Sequence, residues 1–114
     1  MTLEMFIHKL TEEPLNVEFS ETMAVIDAYY SHTATAFTNG ELENSAEQNQ
    51  GSCKILAFGK LHGLTEAQTL ACFGKYYRDD VLQHPEGTDH GNIRNFIQHG
   101  WGGVHFEDAP LTLK

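Results

Sequence analysis

The stretch HPEGTDHGNIR, from His84 to Arg94, gathers two histidines, a glutamate, an aspartate and an arginine within eleven residues. Imidazoles and carboxylates are the nitrogen and oxygen ligands that zinc takes. A histidine beside a carboxylate is also a common acid–base pair. Either chemistry needs the groups held at fixed distances. The usual device puts two histidines at i, i+4 on one helix, as in HExxH. Here Pro85-Glu86-Gly87 lies between His84 and His90 and breaks any helix, so no rigid element sets their separation.

The same residues read more economically as a joint between two helices. Pro85 and Gly87 stop the first. Asp89 is placed to cap the second by accepting from its free N–H groups. His84, near a helix C-terminus, is favoured there when protonated. Arg94 follows within reach of Asp79 or Asp80 and would hold a carboxylate bidentately, locking helix to helix. No metal is expected on this reading.

Other chemistry is thinner. Gly51-Ser52-Cys53-Lys54 at a helix start could hold an anion through free N–H groups and a lysine, although a plain glycine–serine helix start explains it as well. Neither GxxxxGK[ST] nor GxGxxG occurs. Cys53 and Cys72 form no CxxC, sit among apolar residues, and read as small buried hydrophobes. A polar site is conceivable if the turn at Asn39-Gly40, the helix start at Gly51 and the loop at His84 meet at one end of the fold. It would combine Asn39, Cys53, Lys54, Tyr77, Asp80, His84, Asp89, His90, Asn92 and Arg94.

The elements that must position these groups follow from periodicity. Thr2 caps a first helix with Leu3, Phe6, Ile7 and Leu10 on one face, ended by Pro14. Ser20 is the next candidate cap, before a helix ending near Ser31. Asn39-Gly40 is a hairpin signal, since both residues tolerate positive φ; it predicts strands over 35–38 and 41–44. Gly63 and the capping box Thr65-Glu66-Ala67-Gln68 separate a helix over 52–62 from a longer one over 66–83. Ile93, Phe96 and Ile97 form the apolar face of a further helix, and Gly100 ends it. A last strand over 104–107 could pair with the hairpin, and Pro110 closes the ordered part. Trp101, among glycines, is placed to pack over the core edge. The expected fold is α+β: about five helices with a small antiparallel sheet in a single domain over 1–114.

Bulk composition bounds the function. The chain has 114 residues, 40% hydrophobic and 11% aromatic, enough for one buried core. The net charge of −9 opposes binding to nucleic acid or to anionic lipid. It suits a cytoplasmic protein and basic protein partners. No run of apolar residues is long enough to span a bilayer.

The blocks TAFTNG, NQGSCKILAF, GLTEAQTLACFGKYYRDDVLQHPEGTDHGNIRNFIQHGW and VHFE resemble the HopJ family, and the resemblance runs from about residue 3 to 111. It implies a bacterial type III effector, held in the cytoplasm and delivered into a host cell. It brings no reaction, cofactor or catalytic residue to these positions. Three functions follow as expectations. The first is a small interaction domain with an unidentified protein or small-molecule partner and no cofactor. The second is a metal-dependent or phosphate-type binder or enzyme built on the polar site. In the third, those polar residues form a network that fixes helix and loop positions.

Overall fold

A computed structural model describes all 114 residues. Thr2 opens the first helix, α1 (Leu3–Glu12), by accepting from the Met5 N–H at 3.1 Å. The face chosen by spacing buries Phe6 and Leu10. A 3-10 turn over Pro14–Asn16 leads to α2 (Phe19–Tyr29). This helix starts ahead of Ser20: its cap residue is Glu18, and the Glu21 carboxylate accepts the Glu18 N–H at 3.0 Å. Lys9 donates to both Glu21 oxygens at 2.9 Å and ties α1 to α2.

The chain then enters a strand that local pattern did not announce. β1 (Tyr30–His32) pairs antiparallel with the last strand, Leu111–Leu113, with Tyr30 opposite Leu113 and His32 opposite Leu111. Order therefore continues past Pro110. The hairpin is β2 (Phe37–Asn39) and β3 (Leu42–Asn44), with Asn39 opposite Leu42. Its two turn residues are Gly40 and Glu41, one step later than the Asn-Gly signal suggested. Asn39 is fully buried in the strand, and only Gly40 takes a positive φ, +63°. β4 (Val104–Phe106) pairs with β2, and Leu111–Leu113 is β5. There are thus two small antiparallel sheets, β3-β2-β4 and β1-β5.

Helix α3 (Gln50–Leu61) is the core element: Cys53, Ile55, Leu56 and Phe58 are all inaccessible to solvent. Phe6 and Tyr30 meet the Phe58 ring edge-on at 5.9 and 6.2 Å. Burying such side chains contributes about 2 kcal/mol each. After Gly63, α4 (Glu66–Ala71) starts with the expected capping box, Thr65 and Gln68 exchanging two 3.0 Å bonds.

The long helix over 66–83 is interrupted. It stops at Ala71, Gly74 adopts φ +61°, and the chain resumes as a π-helical segment over Tyr76–Val81. A Cβ on Gly74 would lie 2.6 Å from the Phe19 N atom. The close approach of the α2 start explains both the glycine and the break. α5 (Gly91–His99) follows the polar loop and ends at Gly100, and a 3-10 turn over Gly100–Gly103 delivers the chain to β4. Five α-helices and two antiparallel sheets make the fold α+β.

Gly74→Ala combines left-handed strain with a backbone clash and should cost roughly 2–4 kcal/mol. Gly63→Ala has a similar φ, +60°, but open space around it. It should cost only about 1 kcal/mol. Urea denaturation of both variants checks the difference; equal losses would show that the contact with Phe19 is unimportant.

Candidate functional site

Three buried asparagines organise the polar end of the molecule. Asn39 Nδ2 donates to the Asn92 carbonyl at 2.7 Å and to Asn92 Oδ1 at 3.1 Å. Asn92 Nδ2 donates to Asn44 Oδ1 at 3.0 Å, and Asn44 Nδ2 returns a bond to Asn92 Oδ1 at 3.3 Å. Asn49 Nδ2 adds a 2.7 Å bond to Asn44 Oδ1. All three core amides are at most 5% exposed. Asn39 Oδ1 is buried without a partner. One turn along α5, Asn95 accepts the Glu41 N–H at 3.1 Å, and the His99 ring packs on Gly40. The hairpin is thereby clamped to one face of α5.

That clamp sets the start of α5 beside the start of α3. Their cap residues, His90 and Asn49, have φ of 50° and 52°, and neither helix has a side-chain cap. Gly51 and Ser52 from α3 meet His90, Gly91 and Asn92 from α5 in an open cleft of about 490 Å³. Phe19, Leu42, Phe73 and Tyr76 supply its apolar walls. Two helix starts aimed at one space give it a partial positive potential.

His90 Nε2 lies 3.0 Å from Asp80 Oδ2 and 3.8 Å from Asp89 Oδ2, with the Tyr76 ring 5.3 Å from its own. His90 lines the cleft, and its pair with Asp80 has acid–base geometry. Arg94 works on the loop instead. It donates to the Asp89 carbonyl and carboxylate, both at 2.6 Å, to the His84 carbonyl at 2.9 Å and to the Asp80 carbonyl at 3.4 Å. It therefore takes the backbone of Asp80, not the carboxylates of Asp79 or Asp80. Asp89 does not cap α5: its carboxylate serves Arg94, whose hydrogen bond and charge hold it below the usual carboxylate range.

Of the sequence-derived residues, His90 and Asn92 line the cleft, with Asp80 bonded to His90 and Asn39 bonded to Asn92. His84, Asp89 and Arg94 form the loop lock, the His84 side chain itself being exposed. Lys54 is paired with Asp27 at 2.9 Å and does not line the cleft. Tyr77 packs half-buried on the core. Cys53 and Cys72 are buried free thiols, and burial pushes them up to about 11 and about 12. No three or more His, Cys, Asp or Glu side chains converge as metal ligands would. Asn44 and Asn49 escaped the sequence reading; the one available signal was the density of asparagines from residue 39 to 49.

Asn92→Ala strips the shared partner from two buried amides and should cost about 2–4 kcal/mol. Arg94→Ala leaves an exposed carboxylate and loop carbonyls that water can reach, so about 1–2 kcal/mol is expected. Urea titration separates the two. His32 and His62 give a pH dependence. Burial, with the Lys54 charge added for His32, holds both below the ordinary histidine value of 6.5. The unfolded chain therefore takes up protons first. Stability from these groups is complete above about pH 6.5 and is lost as pH falls towards their folded values. The melting temperature should drop between pH 7 and 5, and less so in a His32→Gln, His62→Gln double variant.

The family model described as HopJ type III effector protein matches residues 3–111. No curated protein matches the chain. A crystal structure described as that of an unknown-function protein, VPA0580, superposes with a TM-score of 0.98 at 54% identity, covering 100% of this chain and 95% of that one. A single fold thus spans both chains. The chain belongs to the HopJ family.

Proposed function

We propose that this protein is a single-domain bacterial effector of the type III class that acts in a host cell by binding a partner. The match to the HopJ type III effector family over residues 3–111 carries the reading. Before delivery the chain is cytoplasmic. Its acidic surface and the absence of any helix long and apolar enough to cross a membrane are compatible with that course. The Arg94 guanidinium, the Asp89 carboxylate and the His84 carbonyl then serve structure, because they are engaged with one another. A reporter fused to the full chain should reach host cells from a strain with a working type III apparatus and not from an apparatus-deficient one. Equal signals from the two strains, or none from either, would remove the effector reading.

A second reading gives the cleft a small-molecule ligand bearing a phosphate or carboxylate. The joint opening of α3 and α5 into one space, with His90 and Asn92 at its edge, favours it. Asp80 then orients His90, while Asn39 fixes Asn92. Inorganic phosphate at constant ionic strength should raise the melting temperature, by linkage, and Ser52→Asp should abolish the rise. An unchanged melting temperature would exclude an anion site at this cleft.

A further inference from the structure

A second groove, of about 410 Å³, lies between the segment after the π-helical turn and α5. Val81, Leu82 and Pro85 line it from one side, and Arg94, Ile97 and Gln98 line it from α5. Leu82 is 52% exposed and Ile97 46%, although Ile97 has the spacing of the buried residues Ile93 and Phe96. Two large aliphatic side chains from separate elements thus stand open to water across a shared concavity. That arrangement marks an interaction site more than scattered surface leucines do.

The stretch of chain that frames one side of the groove is acidic. The framing segment, residues 79–89, carries Asp79, Asp80, Glu86 and Asp89 and no lysine or arginine. Arg94 is neutralised by Asp89, and Asp80 faces His90. Asp79 and Glu86 are left exposed and without an ion-pair partner. A second copy of this chain would bring the same carboxylates against their own kind, and an anionic membrane would be repelled. Arg94, Ile97 and Gln98 line the groove along one turn of α5, and a partner helix laid beside that turn presents apolar anchors at i, i+3 and i+4.

We propose that this groove docks an amphipathic helix of a partner protein, with its apolar face on Leu82 and Ile97 and lysines or arginines flanking that face. The proposal rests on the partner-binding reading above and gives that reading a site and a partner chemistry.

The test uses the purified full chain and a fluorescent synthetic helix with leucines on one face and lysines on the other, read by anisotropy. Leu82→Glu and Ile97→Glu each add a negative charge and remove an apolar anchor. Both side chains are exposed, so the melting temperature should hold. Docking in the groove predicts binding at least tenfold weaker in each. Attraction by charge alone predicts equal or tighter binding, and that result overturns the proposal. Asp79→Asn with Glu86→Gln should weaken binding and flatten its salt dependence; no change would overturn the charged rim. Sedimentation showing a wild-type dimer that Ile97→Glu disperses would assign the groove to a second copy and also overturn it. The groove is judged on purified protein, so failure of export in host-cell assays leaves this outcome independent.

Discussion

The buried amides of Asn39, Asn44 and Asn92 constrain the polar half of this molecule. An amide taken out of water must find partners, or the structure carries the full desolvation cost. Here the hairpin and α5 satisfy each other. The need to bury Asn39 beside Asn92 keeps it in β2 and moves the turn to Gly40-Glu41. Fixing Asn92 in turn fixes the first turn of α5, and Asn49, bonded to Asn44, brings the start of α3 to the same place. The cleft follows from this arithmetic of donors and acceptors. The unpartnered Asn39 Oδ1 is the residue of that arrangement: both Asn39 N–H groups point at acceptors on Asn92, and the oxygen faces away from any donor.

The loop from His84 to His90 depends on a different kind of hold. One guanidinium collects two carbonyls and a carboxylate from the loop, with a longer contact to the end of the π-helical segment. A planar fork of five donors suits that task, and a lysine would not replace it. By fastening the loop to α5, Arg94 gives both concavities a common wall, the cleft holding His90 on one side of the joint and the groove holding Pro85 on the other. The residues with the most chemical character thus shape surfaces on which binding can occur.

Much of the architecture was legible in single residues. Thr2, the Thr65–Gln68 box and Gly100 act through local hydrogen bonds or local φ, so their sequence neighbours suffice to read them. What escaped depends on distant chain. β1 exists because β5 lies beside it, and its own three residues carry no strand pattern. The interruption at Gly74 is imposed by the backbone of Phe19, far away in sequence. Asp89 looked like a cap because its position fits one, but a charged donor five residues on competes better than backbone N–H groups do. For the candidate site, Asp80 and His90 were named but their pairing was not, since a ten-residue separation through a proline break has no fixed geometry. Lys54 lies on α3 with the right local neighbours, yet its helix turns it to Asp27.

The two thiols have a consequence for a chain that would cross between compartments. With values near 11 and 12, Cys53 and Cys72 hold roughly one thiolate in ten thousand or fewer at neutral pH. Oxidants and disulfide exchange act on the thiolate, so burial shields both cysteines while the domain stays folded. Reaction at sulfur would report that the helices around α3 had opened.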